Sequence, residues 1–408
     1  MAAGHSDIHA GSSACRLFQP ARIGNLVLAH HIVLAPLTRC RANNKHVHGP
    51  LAATYYAQRA SVPGTLLITE ATPVAAQAGG VGFGLGPHIP GIWNEAQIAG
   101  WRTVVDAVHA KGSFIYMQLW ALGRAADSDE LRREDPSFPY IAPSAIPLKD
   151  RKDVPRPLTI TEIKEYVALF ARAASNAVYD AGFDGVEIHG ANGYLVDQFL
   201  QDVSNVRTDE YGGTIENRCR FALEVVAAVS EAVGPHRTAL RISPWSVYQD
   251  MRMKDPIPTF THLVKRLRDE IPQLAYLHVI EPGVMAFLDM PSEEDDSNNF
   301  IRDIWLPRPL ISAGRYNRES AIERAEQTGE LIAFGRLFIS NPDLPLRLRK
   351  NLPLAKWDHD LYYLPESSRG YTDYPYAGEM EASALNQQKA EYAYEQWYNP
   401  RIPRYKYT

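Results

Sequence analysis

Short apolar runs alternate with longer segments of helical period along most of this chain, and that alternation limits its folds more than any other feature. The runs are IVLAPL (32–37), LLITEA (66–71), SFIYMQL (113–119), GVEIHG (185–190), TALRIS (238–243), LAYLHVIE (274–281), PLISAG (309–314) and LIAFGR (331–336). Each is apolar on both faces, as a parallel sheet covered by helices requires. Between them, Ile98, Trp101, Val105 and Val108 share one face of a helix starting near Asn94. Ile163, Val167, Phe170, Ala174 and Val178 make a second stripe, entered through the cap-like Thr159-Ile160-Thr161-Glu162. Ala222, Val225, Val226, Val229 and Val233 make a third, stopped by Gly234-Pro235. Further helices are expected at 50–60, 258–271, 317–328 and 341–351. Strand then helix, eight times, closes most naturally into a single (β/α)8 TIM barrel, with a doubly wound open sheet as the runner-up.

A length of 408 residues suits one large barrel. We divide the chain into an N-terminal arm (1–16), the barrel (17–370) and a C-terminal extension (371–408) rich in tyrosine. Two excursions interrupt the pattern: polar, proline-rich 121–158 after the third strand, and 283–305, containing EEDDSNN, after the sixth. Long excursions in a compact domain serve as lids about as often as they merely decorate the surface.

A barrel of this kind places its active site at the C-terminal ends of the strands. Those ends carry Thr38, Gln118 and Trp120, then His189 with Asn192 and Tyr194, then Arg241, Gly314-Arg315 and Gly335-Arg336. A packed interior has little use for an arginine, a glutamine and a histidine unless they face a ligand. The loops after the seventh and eighth strands, SAGRYN and FGRLFISNPDL, stand where barrels commonly bind phosphate. Their glycines allow close backbone approach and their arginines can pair with an anion.

Other chemistry fits poorly. GGVGFGLG (79–86) lacks the dinucleotide spacing, there is no GK[ST] loop, and no GxSxG elbow appears. His189 has no histidine or cysteine partner at metal spacing, so no metal is expected. The net charge of −5 argues against nucleic acid or anionic membranes as partners. Cys15, Cys40 and Cys219 form neither a disulfide framework nor a metal motif. No apolar run is long enough to span a bilayer and no targeting signal is evident, so a cytoplasmic protein is expected, monomer or homodimer.

The stretch HGANGYLVDQFLQDVSNVRTDEYGGTIENRCRFALEVV (189–226) resembles the central signature of the Old Yellow Enzyme family of flavin-dependent ene-reductases, and fungal members in particular. The resemblance extends through APLTRCRA (35–42), TEATPVAAQAGG (69–80), MQLWALGR (117–124), LRISPW (240–245) and FGRLFISNPDLPLRL (334–348). It implies a TIM barrel holding FMN non-covalently, with NADPH or NADH as reductant and a small α,β-unsaturated carbonyl compound as substrate. It assigns Thr38 to flavin O4, Gln118 to the pyrimidine edge and Arg241 to N1 and O2. Pro36 and Ala71 would line the ring system through backbone contacts, and Gly314, Arg315, Gly335 and Arg336 would bind the phosphate. His189 and Asn192 match the pair holding the substrate's carbonyl oxygen, and Tyr194 the proton donor to Cα. Trp120, Tyr362 and Tyr363 match aromatic residues around the substrate. Ala71 stands where many members have glycine, and the loop beyond Trp245 and segment 283–305 match poorly. The resemblance leaves an ene-reductase, some of which serve specialised metabolism, a redox-neutral isomerase using the same site, and a flavin-binding protein without turnover. A scaffold has no need of His189, Asn192 and Tyr194 together, which argues against the third.

Overall fold

All eight apolar runs form strands, and the strands close on themselves. In this computed structural model they are β1 (Ile32–Leu34), β2 (Leu66–Ile68), β3 (Phe114–Trp120), β4 (Gly185–Gly190), β5 (Thr238–Ile242), β6 (Tyr276–Ile280), β7 (Leu310–Ala313) and β8 (Leu331–Phe334). Each pairs in parallel with its successor, and β8 pairs back onto β1, so no edge remains exposed. The open-sheet alternative is therefore excluded. The structure describes residues 15–285 and 288–378. Nearly all of the N-terminal arm and most of the C-terminal extension lie outside the described residues.

One main helix follows each strand: α1 (Pro50–Arg59), α2 (Glu95–His109), α3 (Ile160–Ser175), α4 (Ile215–Val233), α5 (Ile257–Glu270), α6 (Asn299–Trp305), α7 (Arg318–Thr328) and α8 (Leu344–Lys350). Local chemistry sets their starts. Asn94 accepts from Gln97 N at α2, and Thr214 accepts from Asn217 N at α4. At α3, Thr159 and Glu162 close a reciprocal capping box. The apolar stripes then bury against the sheet: Trp101, Phe170 and Phe221 are essentially inaccessible. Each such side chain is worth roughly 1.5–3 kcal/mol of burial. Among the described residues, no helix is long and apolar enough to cross a membrane.

Among the short helices that escape the periodicity reading, two lie in the excursions. Ser128–Glu134, capped by Asp127, lies within the first excursion. The second excursion, 283–305, ends in α6, which serves as the helix of the sixth unit; before it comes a small hairpin pairing Val284–Met285 with Leu288–Asp289. Both helices are seven residues long, fewer than two full turns beyond their caps, so no stripe can develop.

The barrel is filled in layers. A hairpin formed by Ala21–Ile23 and Leu26–Leu28 seals the N-terminal end, with Gly24 against the His236 carbonyl just before β5. Ile23 and Leu28 pack there with Val33, Leu66, Tyr116, Ala239, Tyr276 and Ile311. Outside the barrel, residues 370–377 are held by three arginines. Arg39 donates to Gly370 O (2.7 Å), Arg59 to Tyr371 O (3.3 Å) and Arg347 to Pro375 O (2.6 Å), while Tyr371 stacks on Tyr55 at 4.1 Å.

Candidate active site

Above the apolar floor the interior changes character. Strand side chains alternate, so the residues two positions beyond Tyr116, Ala239 and Tyr276 face the same interior: Gln118, Arg241 and His278. Gln118 is in register with Glu187, and Arg241 with both His189 and His278. Gln118 Nε2 donates to Glu187 Oε1 (2.7 Å), and His278 Nδ1 lies 2.8 Å from Glu187 Oε2. Because β5 separates β4 from β6, the second bond crosses the barrel interior. Glu187 is 0% exposed. Burial pushes its carboxyl up, but His278, Arg241 and the Gln118 amide prevail and hold it below the ordinary range. Burial pushes His278 down despite Glu187, so the pair is an ionised carboxylate receiving a neutral imidazole N–H, with the Arg241 charge beside it.

Arg241 is itself 8% exposed, and its Nε finds no acceptor among the described residues. An arginine nitrogen left this way is costly unless a ligand supplies the acceptor. His278 Nε2 and Trp120 Nε1 are likewise buried without a partner. Gln118, with its amide N–H turned to Glu187, keeps its carbonyl oxygen for something above it. A free donor on Arg241 beside free acceptors on Gln118 and His278 fits the mixed donor and acceptor edge of a flat heterocycle such as the FMN pyrimidine.

At the rim, His189 is 4% exposed and the Ala191 N–H donates to its Nδ1 (3.3 Å). Burial, with Arg241 and His278 adding, pushes its pKa well below the usual value, so the ring is neutral. With Nδ1 an acceptor, the proton resides on Nε2, which becomes a donor. The following turn is tied at its backbone. Asn192 N donates to Ser243 Oγ (2.8 Å), Gly193 N to Asp197 Oδ2 (2.8 Å), and Gln198 Nε2 to Gly193 O (2.7 Å). Asn192 adopts a left-handed φ of 57°, a conformation asparagine tolerates, and its side-chain amide makes no hydrogen bond among the described residues. Gly193 has φ 76°, and a Cβ there would stand 2.7 Å from Met251 Cγ, so glycine is required.

Tyr194 meets Trp120 edge-on at 4.8 Å and His189 at 4.9 Å. Ala71, Trp120 and Leu122 form the adjacent apolar cluster, against which Tyr194 and Tyr363 pack. Burial, with Tyr248 and Tyr363 adding, raises the Tyr194 phenol well above its ordinary range. Tyr362, by contrast, lies against the Arg39 guanidinium, 5.8 Å away. Pro36 and Thr38 follow β1, beside β8; Pro36 is buried, and the Thr38 hydroxyl, half-buried, makes no hydrogen bond among the described residues.

Gly314-Arg315 and Gly335-Arg336 follow the neighbouring strands β7 and β8, which brings both pairs to one stretch of rim. Gly314 has φ 137°, and a Cβ there would stand 2.9 Å from Val284. Arg315 donates to Met290 O (3.3 Å), and Arg336 pairs with the Asp289 carboxylate (2.7 Å) with its guanidinium 5.1 Å from the Trp357 ring. The two arginines thus hold Met290 and Asp289 at the end of the small hairpin, a use their sequence positions do not reveal. Sequence reasoning also passes over Glu187, His278, Ser243 and Gln249. The signal for the first two is a charged or ionisable residue inside an otherwise apolar strand.

The chain as a whole is similar to known proteins. Residues 16–355 match the family described as NADH:flavin oxidoreductase / NADH oxidase. The chain is 47% identical over 370 residues to a chanoclavine-I aldehyde reductase of Penicillium roqueforti, covering 90% of this chain and 98% of that one. It is 46% identical over 381 residues to a probable inactive reductase of Epichloe festucae var. lolii, covering 90% and 97%. Among solved structures it resembles the Old Yellow Enzyme of Pichia sp. AKU4542, with TM-score 0.81 and 36% identity over 89% of this chain and 94% of that one.

Proposed function

Since the chain belongs to the NADH:flavin oxidoreductase / NADH oxidase family and is an Old Yellow Enzyme homologue, using FMN and NAD(P)H, we propose that it reduces the C=C bond of α,β-unsaturated carbonyl compounds. The observation that carries this reading is the convergence of a neutral His189 with a donor Nε2, the free Asn192 amide and the Tyr194 phenol after one strand. The aldehyde named for the Penicillium relative supports a carbonyl substrate.

Gln118 and Thr38 would hold the polar edge of FMN, Arg241 would neutralise its pyrimidine side, and Pro36 and Ala71 would border the rings. When bound, FMN supplies the hydride, which NAD(P)H restores. Addition of hydride at Cβ moves negative charge onto the substrate's carbonyl oxygen. His189 Nε2–H and the Asn192 amide N–H receive that charge as an oxyanion hole. Tyr194 then gives its proton to Cα as a general acid. Trp120, Leu122 and Tyr363 exclude water from this side of the pocket.

A relative named as a probable inactive reductase sets the rival reading, flavin binding without turnover. Anaerobic mixing with NADPH separates the two. The leading reading expects bleaching of the flavin and recovery of its colour on adding an enone. Bleaching that no enone, enal or nitroalkene reverses would leave a flavin-binding protein.

We assign the phosphate to the rim formed by Gly314, Arg315, Gly335 and Arg336, where the Asp289 partner of Arg336 is a competing anion. Arg336→Ala is expected to weaken FMN retention by about 1.5–3 kcal/mol, the range for a charge-assisted hydrogen bond. Flavin fluorescence on dilution measures it, and unchanged affinity moves the phosphate elsewhere.

A further inference from the structure

The loop after β5 is where the resemblance to the family is poor, and it is also unusually constrained. Gln249 (φ 58°, ψ 42°), Asp250 (φ 55°) and Arg252 (φ 78°) all adopt left-handed backbone, which non-glycine residues take only when held there. Both excursions hold them. From the first, Arg124 Nη2 donates to Gln249 O (3.0 Å) and Asp250 O (3.2 Å), and Lys149 N donates to Asp250 Oδ2 (2.7 Å). From the second, Asp296 pairs with Arg252 at 2.7 and 3.0 Å. What the strained loop delivers is one side chain. Gln249 Nε2 donates to Asn192 O (2.8 Å), and its Cβ lies so near Gly193 that a Cβ there would stand 2.9 Å away. That places the amide on the turn leading directly into Tyr194, where it favours the ionised phenol against burial.

We propose that Gln249 is a positioning residue for the proton donor: one amide N–H pins the Asn192 carbonyl, while the other serves the Tyr194 oxygen. An oxygen that accepts from Gln249 keeps its own hydrogen for the substrate. In the proton transfer the Tyr194 O–H bond breaks and a C–H bond forms at Cα, leaving the electron pair on Oη. The hydride comes from the flavin, and solvent returns the phenol proton. Tyr194 is buried among other aromatics, so the resulting phenolate needs a donor, and Gln249 is the neutral donor that reaches it. The excursions then act through this loop on the chemistry, which gives the poorly matched loop and the 283–305 segment a function. This inference rests on Tyr194 being the acid.

Gln249→Leu removes both donors at similar volume, and Gln249→Glu replaces the donor with an acceptor at the same length. Each is made in the parent and in a Tyr194→Phe background. Stopped-flow measurement of enone-dependent flavin re-oxidation is expected to show a loss of about ten- to a hundredfold in the parent, as for one hydrogen bond to a charged oxygen. In the Tyr194→Phe background only the small loss from the Asn192 hold is expected. Affinity for p-hydroxybenzaldehyde, whose phenolate reports on the His189 and Asn192 donors, is expected to fall by much less than the rate, because Ser243 Oγ still holds the Asn192 backbone. An equal loss in both backgrounds, a loss of phenol affinity as large as the loss of rate, or no loss in either variant overturns the proposal. If Tyr194→Phe alone leaves enone re-oxidation unchanged, the proton-donor reading fails instead, and the two failures are distinct.

Discussion

His189→Ala and Asn192→Ala should each slow enone-dependent re-oxidation of the flavin by about 10²–10³, the usual consequence of removing one oxyanion donor. The effect is large because both donors are prepared before substrate arrives. The Ala191 N–H fixes the His189 tautomer, and Ser243 and Gln249 hold the Asn192 backbone from two sides. Neither variant touches the polar layer of Gln118, Glu187 and His278, so reduction of the flavin by NADPH should largely persist. Because burial and the nearby Arg241 charge depress the His189 pKa, the ring is neutral in both bound and free protein at neutral pH. The His189→Ala deficit should therefore stay constant between about pH 6.5 and 9, with no step at the ordinary histidine value. The sign follows from linkage: a depressed pKa places protonation on the acid side of that window. Stopped-flow rates across this range test both claims. Normal enone turnover by both variants would falsify the oxyanion assignment.

Much of this fold is legible in the sequence because barrel strands buried on both faces are nearly pure apolar runs, and helices longer than two turns reveal their stripe. The rim is legible for the opposite reason. Gln118, His189 and Arg241 break those runs at one end of the sheet, where a packed core has no use for them. Glu187 is harder to see. It sits inside Gly185-Val186-Glu187-Ile188, a run whose average is apolar, and only the register with Gln118 and the reach across to His278 explain its charge. Arg336 shows the other limit. Its position on the last strand suggests an anion, but its partnership with Asp289 depends on how a 23-residue excursion folds back, which no local pattern encodes. Gln249 is invisible for the same reason. Its importance comes from a left-handed backbone enforced by Arg124, more than a hundred residues earlier in the chain.

Tyr194→Phe is expected to have the largest effect of all, about 10²–10⁴ on enone re-oxidation, as for the loss of a positioned general acid. The phenyl ring would keep its edge-on contacts with Trp120 and His189, so packing should survive and only the hydroxyl is lost. NADPH should still bleach the flavin at close to the parent rate. The substrate decides how much the loss matters. A simple enone leaves an enolate that must be protonated for the product to depart. A nitroalkene leaves a nitronate that is stable without prompt protonation, so its deficit should shrink markedly. The same argument bears on reductase against isomerase. Where the proton arrives late, the enolate persists and can return its hydride, so Tyr194→Phe should raise any double-bond isomerisation relative to net reduction. Product analysis with a deuterated reductant follows the label through both outcomes. If the variant reduces simple enones as fast as the parent, Tyr194 serves only packing, and water or another side chain delivers the proton.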